Sequence, residues 1–359
     1  MFENKLKELM EQITYTVSNP SADNTLPSNA YYLSGGDVLC CPRKNGVSRF
    51  PYSCDGLNMW AYSSGVIHAV EGTFNVFHPV HSEHESSVNF FVGIPQADGT
   101  YFPISILGSG QQLIEPFKID RYLVYSLSAA YYIADTEFAT FAVRADMSDK
   151  KEMRFSFCAI NKTDKDLKFA FTAYFEALLK NGSFDDMWEC NYKNGEFVGQ
   201  GQFILKRNNW DYHAMAIKHK ISNAKLCDYY YTVSRPDFLI YQNRNVGNAE
   251  CLRIGKFETE TPKIGKMITP IASEILHLDI NANESARVDY VCKISNNRND
   301  EATILDYEID TSAIDNSIIE FQNREVERLS TLGIEFGELK NSAVNKNVLN
   351  RFIKNLQKQ

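Results

Sequence analysis

Apolar residues recur at two different spacings along the chain, and each spacing predicts a different kind of secondary structure. Near the N-terminus the spacing is helical, with apolar side chains at Phe2, Leu6, Leu9, Met10 and Ile13. This spacing predicts an amphipathic helix over residues 1–18, which the Asn19-Pro20-Ser21 stretch would end. From about Tyr31 to Ile309 the pattern changes to short runs rich in Val, Ile, Phe, Tyr and Thr, which predict strands.

Alternation of apolar and polar residues within these runs predicts strands with one buried and one exposed face. The clearest runs cover residues 88–93, 138–143, 153–157 and 169–175, and turn residues stand at 97–99, 161–164 and 193–195. No helical segments alternate with the strands, which disfavours a parallel α/β fold. We therefore predict a mainly β fold, a large antiparallel two-sheet β-sandwich (supersandwich), over residues 30–309.

After Asp310 the helical spacing returns and predicts a helical linker over residues 310–359. Its first helix would present one apolar face and be capped by Asp310 or Ser312. The members of that face are Ile314, Ile318, Ile319, Phe321, Val326, Leu329 and Leu332. A last helix carries a second apolar stripe, and we expect a partner domain to dock on it. The predicted docking residues are Val348, Leu349, Phe352, Ile353 and Leu356.

Composition supports a folded β protein. Of the 359 residues, 44% are hydrophobic and 23% charged, which excludes disorder and coiled coil. Aromatic residues reach 13%, and Phe and Tyr pack well on pleated surfaces. The formal net charge is -8 and no stripe of Lys and Arg is present, so nucleic acid is not an expected partner.

Two features bear on localisation. Charged residues interrupt the N-terminal stretch, so no signal peptide is expected, and no later run is long enough to span a membrane. Eight cysteines are scattered without a CxxC pair, which predicts reduced thiols rather than a zinc ribbon or a redox motif. We therefore expect a cytoplasmic protein without a membrane partner.

Two polar clusters are candidates for metal binding or glycoside chemistry. His78, His81 and His84 share one stretch with two glutamates, but their spacing matches no closed zinc pattern and Pro79 favours a loop. Asp185 and Asp186 stand beside Trp188, yet adjacent strand residues point to opposite faces, so they do not form a catalytic carboxylate pair. We predict neither a metal site nor a resident cofactor.

A third cluster suits a sugar ligand, because it combines aromatic faces with hydrogen-bonding groups. The same residue types also occur in sandwich cores, so both interpretations stay open. The candidate carbohydrate-binding residues are Arg49, Tyr52, Asp55, Trp60, Tyr62 and Trp188, with Asn58 in the same stretch as the first five.

The 161–164 turn is followed by Thr172, Tyr174 and Glu176, which together give the pattern N-x-T-D … T-x-Y-x-E. This pattern and further short motifs in a shared order resemble glycoside hydrolase family 94, which consists mainly of inverting glycoside phosphorylases and has an "N-x-S/T-D … S/T-x-Y-x-E" hairpin. Further similar segments are 33–38, 46–50, 270–272, 283–288 and 348–352. The 58–62 and 72–76 segments are most similar to the 1,2-β-oligoglucan phosphorylase branch.

The resemblance implies an N-terminal sandwich and helical linker whose catalytic (α/α)6 barrel lies on a downstream segment or a separate chain. The general acid and the phosphate-binding residues of the family lie in that barrel, so no residue of this chain inherits a catalytic role. The chain alone is therefore expected to be inactive, with inorganic phosphate as a co-substrate of the complete enzyme. β-Glucan oligosaccharides, the barrel and a homodimer are the implied partners.

Two alternatives from other functional classes remain. A self-sufficient aldose epimerase-like enzyme would need a His acid and a Glu or Asp base converging on one face, and His213 or His219 could supply the acid. A free-standing carbohydrate-binding module would need only the aromatic cluster.

Overall fold

Strands dominate the protein, as the sequence predicts. The computed structural model describes residues 2–20, 25–26, 30–33, 37–40, 49–54, 56–72, 74–77, 87–108, 115–148, 152–180, 188–192, 200–208, 212–234, 265–267, 271–295, 304 and 306–331. Two long helices lie within this part of the chain, α1 (Phe2–Ser18) and α2 (Thr311–Thr331). The predicted N-terminal helix is thus confirmed, and the predicted last helix lies outside the described residues.

The larger sheet has twelve antiparallel strands. They are β1 (Thr25–Leu26), β2 (Ala30–Tyr32), β3 (Val38–Cys40), β10 (Asp120–Tyr125), β11 (Ala129–Asp135), β12 (Ala139–Ser148), β13 (Glu152–Asn161), β15 (Trp188–Tyr192), β16 (Gln200–Asn208), β17 (Tyr212–Ser222), β19 (Gly265–Met267) and β21 (Ser285–Ser295). Their spatial order is β1-β2-β3-β10-β11-β12-β13-β21-β17-β16-β15-β19.

The second sheet has nine antiparallel strands. They are β4 (Arg49–Cys54), β5 (Leu57–Tyr62), β6 (Ile67–Glu71), β7 (Phe74–Phe77), β8 (Val88–Pro95), β9 (Tyr101–Leu107), β14 (Leu167–Lys180), β18 (Lys225–Ser234) and β20 (Ile271–Ile280). The long strand β14 joins its two parts. Residues 167–176 of β14 pair with β20 and residues 170–175 also with β8, whereas Ala177 and Lys180 pair with β7.

The two sheets pack face to face over one aromatic-rich core. The ring of Phe90 in β8 contacts aromatic rings of both sheets. Its centroid lies 5.6 Å from Phe155 of the twelve-stranded sheet and 6.0 Å from Phe171 of its own sheet. Phe157 and Phe171, one from each sheet, stack at 3.9 Å. The predicted two-sheet sandwich is therefore confirmed, and its high aromatic content fills the space between the sheets.

The prediction of one exposed face per strand is wrong for the central strands. Every residue of β12 is buried, and β13 is buried over most of its length. The reason is that both helices pack on the outer face of the twelve-stranded sheet: α2 through Asp315, which binds Arg144 of β12, and α1 through an apolar contact. The buried α1 residues Phe2, Leu6, Leu9 and Ile13 form a second apolar cluster with Val124, Tyr131, Ala142 and Cys158.

Helix α2 packs on the same sheet, but along a narrower stripe than the sequence predicts. Ile314 and Ile318 are buried, whereas Ile319 is 50% exposed. Asp310 is the cap, since its Oδ1 accepts hydrogen bonds from the backbone N–H groups of Ser312 and Ala313. Within the described residues, no helix is both long and apolar enough to cross a membrane.

Candidate functional site

Two members of the predicted aromatic cluster, Trp60 and Tyr62, lie on the outer face of the β4–β7 part of the nine-stranded sheet. Burial alternates along β5, so Trp60 and Tyr62 stay partly exposed while Met59 and Ala61 enter the core. The indole of Trp60 stacks on the His68 ring of the neighbouring strand, with centroids 5.3 Å apart and planes inclined by 26°. The His68 ring is fixed in turn, because its Nε2 lies 3.0 Å from Asn75 Oδ1. Together Trp60, His68 and Asn75 form a small, ordered aromatic and polar platform.

Tyr52 does not join this platform. It pairs with Met59 across β4 and β5, so it faces the core and is only 3% exposed. Its hydroxyl donates to the backbone carbonyl of Ser126 at 3.1 Å, and burial raises its pKa well above the ordinary range. The side chain therefore links the two sheets, which is the core role that the sequence left open.

Two further candidate residues, Arg49 and Trp188, lie in different sheets. Arg49 is the register partner of Tyr62, so its backbone borders the platform. Trp188 lies in β15 of the other sheet, so its backbone is not part of the platform's sheet. The side chains of Arg49 and Trp188 lie outside the described residues, as do Asp55 and the docking residues Val348, Leu349, Phe352, Ile353 and Leu356.

The histidine cluster and the aspartate pair of the sequence analysis lie outside the described part of the chain. Their residues are His78, His81, His84, Asp185 and Asp186. Across the residues that are described, no group of three or more His, Cys, Asp or Glu side chains could hold a metal ion.

The hairpin that carried the family resemblance forms a buried polar surface on β14. Thr172, Tyr174 and Glu176 alternate with Phe171 and Phe175, so they share the sheet face opposite the inter-sheet core. All three are at most 8% exposed, and the Tyr174 hydroxyl donates to Glu176 Oε1. The alternation of apolar and polar residues along 169–175 in the sequence already indicates that this strand has two different faces.

Neighbouring strands extend the same surface. Tyr174 pairs with Ser273 of β20, and Tyr101 of β9 reaches His277 of β20 with its hydroxyl 3.3 Å from Nδ1. Gly93 and Ala170 lie between them in the register, and these small residues leave room for the tyrosine ring. Sequence reasoning missed Tyr101 and His277, because 176 positions separate them along the chain.

A histidine and a glutamate converge between the two sheets. His219 Nδ1 of β17 lies 2.9 Å from Glu274 Oε2 of β20, and the Tyr290 hydroxyl donates to the same oxygen at 3.3 Å. An imidazole and a carboxylate at this distance could exchange a proton. Each residue is only 1% exposed, however, so no substrate reaches the pair in this conformation.

Two turns that are similar to family motifs, at residues 161–164 and near Asn283, are joined by hydrogen bonds. The Asn161 side-chain amide donates to the backbone carbonyls of Lys165 and Asn281, at 2.6 and 3.0 Å. Its Oδ1 accepts from the backbone N–H and the hydroxyl of Thr163. Asn283, in the partner hairpin, has a positive φ of 59° and donates its backbone N–H to the Thr163 carbonyl. These motif residues therefore hold the turns of the sandwich in place.

A network of buried charges anchors α2 to the twelve-stranded sheet. Asp315 accepts two hydrogen bonds from the Arg287 guanidinium, at 2.7 and 2.9 Å, and one from Arg144 at 3.0 Å. Three arginines and three aspartates take part, so the formal charges balance; they are Arg144, Asp146, Arg154, Arg287, Asp289 and Asp315. Each of them is at most 8% exposed.

The charge state of Asp315 follows from these contacts. Burial opposes its ionisation, but hydrogen bonds from Arg287 and the charge of Arg144 outweigh it and hold the pKa below the ordinary value. Burial likewise opposes ionisation of Arg287, yet Asp315 and Asp289 raise its pKa. Both partners are therefore charged, and the helix is held by ion pairs in a dry environment.

No protein-family model matches the sequence, and no curated protein matches it. Solved structures with distant similarity include a putative aldose 1-epimerase from Escherichia coli K12, at 8% identity and a TM-score of 0.41, with 70% of this chain and 100% of that chain covered.

A bacterial glucoamylase complexed with acarbose matches at 10% identity and a TM-score of 0.39, over 86% of this chain and 39% of that one. A putative kojibiose phosphorylase from human microbiome matches at 12% identity and a TM-score of 0.34, over 90% of this chain and 31% of that one. This chain thus spans less than half of each of these two proteins, and similarity at this level assigns it to no family.

Proposed function

We propose that this chain is the non-catalytic β-sandwich of a glycoside phosphorylase acting on β-glucans, in which it supports a catalytic barrel. The observation that carries the proposal is the anchoring of α2 by Asp315. A helix that joins a sandwich to a second domain must leave the sandwich at a defined angle. The fork from Arg287 and the bond from Arg144 fix that angle at the first turns of α2.

The energetics of the anchor agree with a positioning role. Burying ion pairs adds little net stability, because the desolvation cost offsets the attraction between the charges. Such pairs are directional, so the Arg287 fork and the Arg144 bond define one orientation of α2. In the proposed enzyme, the chain beyond α2 carries the docking residues Val348, Leu349, Phe352, Ile353 and Leu356 towards the barrel.

The burial of the His219–Glu274 pair favours this proposal over a self-sufficient epimerase. An epimerase needs a proton donor and acceptor in contact with a sugar, and His219 and Glu274 meet inside the core instead. The partly exposed platform of Trp60 and His68 offers a sugar-binding surface without such a pair. A free-standing carbohydrate-binding module is the second candidate, and it rests on this platform.

Activity assays distinguish the three functions. The purified chain is incubated with inorganic phosphate and sophorose, laminaribiose or cellobiose, and glucose 1-phosphate release is measured. In parallel, polarimetry follows the mutarotation of α-D-glucose and α-D-galactose. We expect neither activity from the chain alone, and phosphorolysis when a purified barrel segment is added.

Phosphorolysis by the chain alone would overturn the proposal. Mutarotation above the buffer rate would favour the epimerase. Sugar binding without glucose 1-phosphate release, even after the barrel segment is added, would favour the binding module.

A further inference from the structure

The second residue of the chain covers the charge network that holds the far helix. The Phe2 ring is 1% exposed and lies 4.6 Å from Arg144 Cζ and 5.8 Å from Arg287 Cζ. The Tyr131 ring also lies close to Phe2, with centroids 6.1 Å apart. Both guanidinium groups under Phe2 are those that bind Asp315 of α2.

We propose that Phe2 is a positioning residue for α2, so that the docking of the N-terminal helix controls the anchoring of the C-terminal one. The two helices then form one cooperative unit on the outer face of the twelve-stranded sheet. This coupling is a property of the sandwich and holds whichever ligand or partner the chain serves.

The physical reason is the exclusion of water by the aromatic ring. Ion pairs strengthen as the local dielectric constant falls, and an aromatic face also attracts a guanidinium group directly. With Phe2 in place, Arg144 donates hydrogen bonds to Asp146, Asp315 and Ser156, and Arg287 donates to Asp289 and Asp315. Without the ring, water would hydrate both arginines and compete with Asp315 for their N–H groups.

Other contacts near the start of α1 place the ring over the network. Glu3 accepts hydrogen bonds from Lys7, one turn later, and from Ser285 of β21, the strand that also carries Arg287. Leu6, Leu9 and Ile13 then fix the rest of α1 on the sheet. Phe2 thus brings an aromatic ring of α1 into direct contact with two arginines of the charged network.

Hydrogen–deuterium exchange of the full chain, read by mass spectrometry, tests the coupling. Phe2→Ala is compared with Ile13→Ala, which removes a buried side chain from the other end of the same helix. Asp315→Asn is the reference for a released α2. We expect Phe2→Ala to accelerate exchange in residues 311–322 about tenfold, approaching Asp315→Asn. Ile13→Ala should leave that segment unchanged while it accelerates exchange at the end of α1.

Thermodynamic coupling is reciprocal, which supplies a second measurement. Asp315→Asn should therefore accelerate exchange in the first turns of α1. Equal effects of Phe2→Ala and Ile13→Ala on α2, or no effect of Asp315→Asn on α1, would overturn the proposal. If Phe2→Ala fails to fold, the effect of Asp315→Asn on α1 decides alone.

Discussion

His219 of β17 and Glu274 of β20 meet with 2.9 Å between Nδ1 and Oε2, although they belong to different sheets. Their contact bridges the sandwich at a position where the surrounding residues are apolar or aromatic, with the His219 and Tyr290 rings 5.5 Å apart. A His–Glu pair in an open cleft would indicate an enzyme. Here the same pair joins two layers of the fold.

The buried pair should be more costly to break than to replace. Glu274→Leu leaves His219 without its acceptor in the core, and an unsatisfied buried group costs about 1–3 kcal/mol. The double variant His219→Phe, Glu274→Leu removes both polar groups and should recover part of that loss. Urea unfolding of the wild type, both single variants and the double variant measures the interaction energy. Additive effects would show that the two side chains do not interact.

Trp60 should carry the sugar affinity of the isolated chain. An aromatic face binds the apolar face of a pyranose, and an open platform gives millimolar affinity at best, which corresponds to about -4 kcal/mol. Titration with β-1,2-glucan oligosaccharides, followed by NMR chemical shifts, should show weak saturable binding that Trp60→Ala abolishes. Tyr15→Ala, at a 71% exposed aromatic on α1, is the matched control and should bind normally. Equal binding by both variants would remove the platform from the site.

Asp37 should make the protein less stable as the pH rises from about 4 to about 6. Burial raises its pKa to about 6, although Lys5 Nζ lies 3.6 Å from Oδ2 and acts in the opposite direction. The folded state therefore holds a proton that the unfolded chain releases near pH 4, and this difference is worth about 3 kcal/mol. Asp37→Asn should remove that part of the pH dependence in chemical unfolding experiments. Asp164→Asn, in an exposed turn, should keep it; identical slopes for the two variants would refute the assignment.

Two buried threonines should respond in opposite ways to loss of the hydroxyl. Thr172 Oγ1 is buried without a hydrogen-bond partner among the described residues, whereas Thr140 Oγ1 donates to Asp135 Oδ1 at 2.5 Å. Thr172→Val should therefore raise the free energy of unfolding by about 1–3 kcal/mol, and Thr140→Val should lower it by about 1 kcal/mol. Thermal unfolding of both variants measures the difference. Destabilisation by Thr172→Val would indicate a water or a ligand bound at its hydroxyl.

The apolar stripe near the end of the chain should cause self-association when no barrel covers it. Burying each of its large side chains against a partner is worth roughly 1.5–3 kcal/mol. The double variant Phe352→Glu, Ile353→Lys should therefore be more monomeric than the wild type in sedimentation velocity. If wild type and variant are both monomeric, the stripe is not an exposed docking surface.

The local pattern of the sequence was sufficient for the fold class and for many of its elements. Period-two alternation predicted β8, β12, β13 and β14, and helical spacing predicted α1 and α2. These predictions succeed because side-chain direction along a helix or strand depends on the backbone repeat alone. The turn at residues 161–164 was likewise readable, since Asn161 makes its stabilising contacts largely with its own neighbours.

Tertiary structure alone decided which residues lie together and which face is covered. Tyr52 and Trp60 are both aromatic and lie in one hairpin, yet the register places Tyr52 in the core and Trp60 on the outside. His219 and Glu274, or Arg144 and Asp315, are far apart in the sequence and meet only because two sheets and two helices pack together. No local repeat encodes such contacts, because they depend on strand order and on which layer covers each sheet face.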